Sequence, residues 1–379
     1  MSKWKTVRLG DVATYINGYA FKPSDWGTTG LPIIRIQNLT GNDYETNFFN
    51  GEIHPKYTVK DGDVLISWSA SLGVYEWNKG KALLNQHIFK VVFDKIEVDK
   101  KYFIFTVSHL LNEMVKHTHG STMRHITKPD FDNMPFPLPS IKEQKKISEL
   151  LEKCTSIIAT NKQMLEKYDT LIKSRFIEMF GDPVQNPKGW KKTELGNLCK
   201  EVRYGTSKPA SENGKYTYLR MNNITYEGEL DLTNIKSIDI SEDELPKCSV
   251  RKGDVLFNRT NSIELCGKTC LYKLDKTMVI AGYIIRVRVS EKLNPQYVST
   301  LFNTKSIKKL LREMAKGAVN QANINAQEMQ SIQIPVPPIS LQNEYESFVQ
   351  QIDKSKFAVQ KSLEKTETLY KSLMQQYFA

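Results

Sequence analysis

The chain repeats itself, and that repeat limits what it can fold into. Trp4-Lys5 leading to Leu9-Gly10-Asp11-Val12 returns as Trp190-Lys191 leading to Leu195-Gly196-Asn197-Leu198. Ile34-Arg35-Ile36-Gln37-Asn38-Leu39-Thr40 returns as Leu219-Arg220-Met221-Asn222-Asn223-Ile224-Thr225, and Val59-Lys60-Asp61-Gly62-Asp63-Val64-Leu65 as Val250-Arg251-Lys252-Gly253-Asp254-Val255-Leu256. Pro137-Leu138-Pro139-Ser140-Ile141 returns as Pro335-Val336-Pro337-Pro338-Ile339. The offset grows from 186 residues at Trp4 to 198 at Pro137, so the second copy carries small insertions, which belong in loops. A repeat this large is a duplicated domain and not a solenoid module.

A different period follows each proline pair. Pro139 and Pro337 stop the preceding strand-like segment. Residues 141–180 and 339–378 then run 40 residues each without Gly or Pro, and Gly181-Asp182-Pro183 ends the first. Ile147, Cys154, Asn161, Tyr168 and Arg175 lie seven apart, as do Leu151, Ile158, Leu165, Ile172 and Met179, and again Leu150, Ile157, Met164 and Leu171. The second stretch has Tyr345, Ile352, Val359, Thr366 and Leu373, with Val349, Leu363, Tyr370 and Tyr377. Sustained heptads predict two long helices, each roughly 60 Å, that bury an apolar seam. The simplest partner for each is the other, and the domain between them favours antiparallel pairing. The expected seam is Ile147, Leu151, Ile158, Leu165 and Ile172 against Ile352, Val359, Leu363 and Leu373, with Asn161 and Arg175 as candidate register-setting residues.

The predicted fold is therefore α/β. Two tandem mixed α/β domains, 1–140 and 181–338, are each followed by a long helix, 141–180 and 339–379, and the helices pair as an antiparallel coiled coil. Within the domains, Pro32 to Gln37, Val64 to Ser67 and Ile88 to Phe93 read as strands, matched by Tyr216 to Met221, Val255 to Asn258 and Ile284 to Val289. Phe103 to Val115 and Val298 to Met314 carry helical spacing.

Charge narrows the partner. Lys plus Arg outnumber Asp plus Glu by 53 to 42, a net +11 that fits an anionic partner, nucleic acid first. The excess is uneven. Residues 181–338 hold 24 basic against 17 acidic residues, residues 1–140 hold 16 against 14, and the last helix is neutral at 5 against 5. A basic tail or a membrane-lying helix is thereby disfavoured. The five cysteines, the polar start and the lack of a long apolar run point to a cytoplasmic chain without a membrane span.

Catalytic patterns are missing. There is no Gly-rich phosphate loop, GxSxG elbow or HExxH. Cys248, Cys266 and Cys270 form no CxxC and read as small hydrophobes. His117, His119 and His125 cluster without a completing carboxylate or thiol. Pro129-Asp130 with Glu143-Gln144-Lys145 resembles a nuclease metal site, but the second copy has Ala326-Gln327 and Leu341-Gln342-Asn343 there. Asp182-Pro183-Val184 and Asn186-Pro187-Lys188 do not supply the motif of an amino-group methyltransferase. No metal and no cofactor is expected on this chain.

Loops offer something else. Tyr19, Phe21 and Lys22 follow Gly18, while Ser67, Trp68 and Ser71 form a second loop and His119, Ser121, Thr122 and Arg124 a third. The second copy answers with Arg203, Tyr204, Thr206 and Lys208, with Asn258, Arg259 and Asn261, and with Asn320, Gln321 and Asn323. Arg and Lys suit guanine edges or phosphates, Asn and Gln suit adenine, and small polar residues position phosphates. Any one loop could be an ordinary solvated turn. Three loops at matching places, divergent within a repeating scaffold, are what two related readers of different half-sites require. Arg35 with Asn38, and Arg220 with Asn222, join the candidates, although a sheet-face ion pair explains either arginine equally well.

The whole chain resembles the specificity subunits of type I restriction-modification systems. The resemblance rests on Leu9-Gly10-Asp11, Gly18-Tyr19-Ala20-Phe21, Arg35-Ile36-Gln37-Asn38, Gly62-Asp63-Val64-Leu65, Pro137 to Gln144, and Ser174 to Pro183 before Trp190. Leu341 departs from the usual Glu before Gln342. The resemblance implies a non-catalytic subunit whose two target-recognition domains each read half of a bipartite site in double-stranded DNA. Its helices would fix the spacing. Two methyltransferase (modification) subunits carrying S-adenosylmethionine would dock around them, and translocating restriction subunits would join. The rival readings are a nuclease or stand-alone methyltransferase, and a coiled-coil scaffold that binds no DNA.

Overall fold

The computed structural model describes residues 4–41, 46–117, 126–315 and 322–378. They form two compact units, residues 1–162 with 361–379 and residues 163–360, so each holds one globular copy and half of each long helix.

In the first unit, Thr14–Asn17, Ile88–Val92, Val64–Ser67 and Gly73–Glu76 form, in that order, an antiparallel sheet. A second, mixed sheet orders Phe48–Phe49, Leu31–Ile34, Ala82–Leu84 and Thr58–Val59, with its two middle strands parallel. Thr6–Arg8 pairs with Pro135–Pro137. The second unit repeats all three arrangements. Its antiparallel sheet is Cys199–Tyr204, Ile284–Val289, Val255–Asn258 and Thr269–Leu271. Its mixed sheet is Lys236–Ile238, Tyr216–Leu219, Met278–Ile280 and Ser249–Val250, and Lys192–Glu194 pairs with Gln333–Pro335. Thr260–Asn261 paired with Ala322–Asn323 is an addition of this unit among the described residues.

Local chemistry explains the shared frame. Val64–Ser67 and Val255–Asn258 are buried throughout, which is why each opens with three consecutive apolar residues before a polar end. Each is entered from a turn whose glycine has positive φ, 85° at Gly62 and 93° at Gly253. Asp63 and Asp254 close those turns by accepting from the Lys60 and Arg251 amides at 3.0 and 2.9 Å. A cation joins the two sheets of each unit. Lys90 donates to the Thr58 carbonyl at 2.7 Å, and the fully buried Arg286 donates to the Ser249 carbonyl and meets Glu201 at 3.0 Å. Burial pushes the pKa of both cations down.

Two expectations change. The strands expected to run to Gln37 and Met221 stop at Ile34 and Leu219. Asn38 and Asn223 each accept from the backbone of the arginine three residues earlier, at 2.9 Å, and turn the chain into a short helix, Ile36–Leu39 or Met221–Asn223. Arg35 and Arg220 therefore head helices and do not lie on a sheet face. The helix expected over Val298 to Met314 is two, Pro295–Phe302 and Lys305–Met314, because the Thr304 hydroxyl caps the second by accepting from the Ile307 amide.

The long helices are Ile141–Phe180 and Ile339–Phe378. Gln144 and Gln342 tie their starts to the domains: each amide donates to a proline carbonyl, Pro139 at 2.9 Å and Pro337 at 2.8 Å, and each accepts from a backbone N–H, that of Asp99 or Asn294. The Glu143 carboxylate accepts from the Ser140 hydroxyl at 3.0 Å, a cap that Leu341 cannot make. In the first unit Ile147, Leu151 and Cys154 share a core with Leu373, Met374 and Phe378, while Asn161 donates to Ser362 at 3.2 Å and Lys162 meets Glu367 at 3.1 Å. In the second unit Asp169 meets Lys356 at 2.6 Å and Arg175 meets Glu344 at 3.4 Å. Within each unit the helix segments thus run antiparallel. Ile147, Leu151, Leu363 and Leu373 are buried; Ile158, Leu165, Ile172, Ile352 and Val359 are half-buried. The third heptad row is not part of this seam. Leu150, Ile157, Met164 and Leu171 are 36–47% exposed, being next to the buried positions but turned out from them. No helix among the described residues is long and apolar enough to cross a membrane.

Candidate nucleic-acid interface

In both units a glycine lets a loop come against the turn that links the two sheets. A Cβ on Gly18 would stand 2.0 Å from the Asn85 carbonyl oxygen, and one on Gly205 would stand 2.1 Å from that of Ile280. No other residue permits that approach. The next residues are then held by backbone bonds, Tyr19 to Leu84 at 2.8 Å and Thr206 to Ile280 at 2.9 Å.

In the first unit this gathers a surface of aromatic rings and polar side chains. Tyr19, 39% exposed, meets Phe21 and Tyr57 edge-on. The Arg35 guanidinium lies 4.1 Å over the exposed Trp26 ring. Trp26, Arg35, Gln37, Gln86 and His87 line a cleft of about 330 Å³. Trp68 sits 5.5 Å from the His87 ring, donates its amide to the His87 carbonyl, and lines a second cleft of about 400 Å³ with Asn17, Thr127 and Lys128. Lys22 and Ser71 are exposed nearby in sequence.

In the second unit Arg259 is central. Its guanidinium stacks 5.0 Å from the Tyr204 ring, its Nε donates to Asn323 at 3.1 Å, and its backbone N–H donates to the Tyr283 carbonyl at 2.9 Å. Neither Nη of Arg259 has a partner among the described residues. Thr260 also donates to Asn323, at 2.9 Å, and the Tyr204 hydroxyl accepts from the Ala326 amide at 2.9 Å. Tyr204 and Tyr283 are 42% and 51% exposed. Asn222 is exposed and Asn261 half-buried. Arg203 and Lys208 are exposed but ion-paired, to Glu201 and Glu244. Arg220 donates to the Asn234 carbonyl at 3.0 Å.

Several candidates are reassigned. Phe21 is buried beside Ile33 and Leu83 and is a core residue. Asn38 is buried and serves as the cap that positions Arg35. Ser67 is buried and donates to the Ser71 carbonyl at 2.5 Å, and Asn258 is fully buried at the end of its strand. His119, Ser121, Thr122, Arg124, Asn320 and Gln321 lie outside the described residues. Asp130 accepts from the Thr127 hydroxyl and Glu143 from Ser140, so both carboxylates of the nuclease-like pattern serve local caps. Cys248, Cys266 and Cys270 are buried singly, and burial pushes the Cys266 thiol up to about 11. Among the described residues no three His, Cys, Asp or Glu side chains gather as a metal-ion site.

Sequence reading missed Trp26, Gln86, His87 and Tyr283. A usable signal existed: Asn85-Gln86-His87 and Ala281-Gly282-Tyr283 occupy matching places between repeating strands yet differ, which is the criterion that selected the other loops. The arrangement suits nucleic acid, with arginine forks and amides for base edges and small polar groups for phosphates.

Comparison with known proteins agrees. The family model described as "Type I restriction modification DNA specificity domain" matches residues 1–167 and again 187–367. The specificity subunit of type I restriction enzyme EcoBI from Escherichia coli is 24% identical, covering 96% of this chain and 81% of that protein. The EcoKI specificity subunit of Escherichia coli strain K12 is 23% identical over 99% of this chain and 88% of its own length. The MjaVIII specificity subunit of Methanocaldococcus jannaschii is 24% identical, with 98% and 91% covered. Among solved structures, the type I restriction-modification S subunit from M. genitalium superposes with a TM-score of 0.60 at 15% identity, covering 100% of this chain and 96% of that one.

Proposed function

The chain belongs to the type I restriction-modification DNA specificity family, and on that premise we propose how its two units divide the work. Each reads one half of a bipartite site in double-stranded DNA, and the chain itself catalyses nothing. The supporting observation is that the two units share sheets, caps and glycine contacts while their exposed surfaces differ. Trp26, Arg35 and His87 stand in one, and Tyr204, Arg259 and Tyr283 in the other. The long helices fix the spacing between half-sites. Two methyltransferase subunits, which carry the S-adenosylmethionine, dock on the helices, and restriction subunits join that complex in the cytoplasm. The exposed row Leu150, Ile157, Met164 and Leu171 supports docking, because such a row on a long helix calls for a protein partner. The test replaces residues 1–140 with those of a relative of different specificity and maps methylated sites. One half-site should change and the other persist; two unchanged half-sites refute the assignment.

A further inference from the structure

The second unit holds a cavity of about 1140 Å³ that the recognition surface does not use. One side is the Lys305–Met314 helix, and the other is the 169–177 segment of the central helix. Its wall is apolar at Ile172, Phe176, Leu271 and Val349, and polar at Gln296 and Ser299. Five cations line it: Lys273, which pairs with Asp353, and Lys173, Lys305, Lys308 and Arg312. None of the last four has a carboxylate within 4 Å among the described residues. Five acids share the wall: Glu227 stands close enough to act on the Lys308 charge, Glu229 lies 4.0 Å from Lys356, and the other three are engaged. Asp169 pairs with Lys356, Asp353 with Lys273, and Asp182 accepts from the Val184 and Gln185 amides.

The cations are held in place. Lys308 lies 3.7 Å over the Tyr226 ring and donates to the Tyr226 carbonyl, and Arg312 donates to the Tyr226 hydroxyl at 2.5 Å. Burial first, then the charge of Lys173, push Lys308 down to about 8, with Glu227 opposing and Arg312 adding to the shift. Charges gathered this way repel one another until an anion joins them. The matched segment of the first copy, residues 105–114, holds no lysine or arginine. Lys309 and Arg312 are matched by His109 and Asn112 in the run Leu110-Leu111-Asn112-Glu113-Met114, which parallels Leu310-Leu311-Arg312-Glu313-Met314.

We propose that this cavity is a binding site for a small phosphorylated molecule of nucleotide size, its phosphates held by Lys173, Lys305, Lys308 and Arg312 and its less polar part against Ile172, Leu271 and Val349. A cavity of this volume admits a small molecule of nucleotide size. The site is separate from DNA reading, so it stands or falls independently of the function above.

The experiment is calorimetric titration of the full chain with pyrophosphate, with a nucleoside triphosphate, and with an unrelated short duplex. Pyrophosphate and the triphosphate should bind with one site per chain, and the triphosphate more tightly. Lys308→Gln and Arg312→Gln should weaken both at least tenfold. Lys173→Gln and Lys305→Ala, which leave the Tyr226 contacts alone, should weaken them several-fold without moving the melting temperature. Absence of heat with either phosphate overturns the proposal, as does binding that the four variants leave unchanged. A loss confined to duplex binding also overturns it, since the cations would then serve DNA.

Discussion

Arg259 offers the sharpest test of base reading. Its Nε is committed to Asn323 and its face to Tyr204, while both Nη groups stay open among the described residues, as a fork presented to a guanine edge would be. A bidentate pair of that kind carries about 1–3 kcal/mol of discrimination, or about 5- to 150-fold. Arg259→Lys keeps the charge but loses the fork. It also forfeits the stacking and the Asn323 bond, about 1–2 kcal/mol of local stability, which lowers the melting temperature by about 2–8 °C and leaves the unit folded at 25 °C. The assay is competition binding at fixed salt, using duplexes with single changes across each half-site. Preference at one base pair of one half-site should collapse by the stated factor while the other half-site is read as before. If affinity instead falls equally on every duplex, with the salt dependence unchanged because the lysine keeps the charge, Arg259 grips a phosphate and the base-reading argument fails.

Three further outcomes follow from the packing. Ile157→Asp or Leu171→Asp, at exposed positions, should leave the melting temperature within about 1 °C yet prevent co-purification with methyltransferase subunits; intact complexes would remove the support for docking on that row. Deleting one heptad from each long helix should alter the permitted spacer by about 10 Å of duplex and leave both half-site sequences alone, whereas an unchanged spacer would refute the helices as spacers. Burial works to raise the Glu201 carboxyl, but Arg286, Arg288 and Arg203 outweigh it and hold its pKa below the ordinary value. Stability from Glu201 is then present at neutral pH and lost as pH falls through that lowered pKa, so Glu201→Gln should flatten the acid limb of the unfolding curve; an unaltered limb would mean the ion pairs contribute nothing.

Long-period features were the legible ones. Heptads and proline stops mark the two long helices because a run of 40 residues averages over local exceptions. The strands failed at their ends. Arg35 and Arg220 sit among apolar neighbours, and alternation alone extends the strand through them; the turn comes from an asparagine three residues on, a contact that hydrophobic patterning does not register. Exposure failed in the same way. Leu150 and Leu151 are adjacent, equally apolar and both heptad-spaced, yet one is 36% exposed and the other fully buried. Only the facing helix and the domain beneath decide between them. In the candidate interface, composition found Tyr204 and Arg259 but also Phe21 and Ser67, because a loop motif names residues without telling which face the backbone presents.

The reassigned residues explain how such a chain can change what it reads. Asn38 and Asn223 are buried, fill the same role and position an arginine in each copy; Gly18 and Gly205 allow the same close approach; Gln144 and Gln342 anchor the same helix start. Replacing any of these opens a buried polar group or a steric clash, costing about 1–3 kcal/mol or more. Trp26, Tyr204 and Tyr283 expose their rings and hang from that frame, so substitutions there cost less stability than at the caps and glycines. Stability and recognition thus rest on different residues within each loop. A domain duplicated on this plan can diverge in its target while its fold stays fixed, and the same separation predicts that half-site swaps will succeed when the cap asparagine, the glycine and the glutamine travel unchanged.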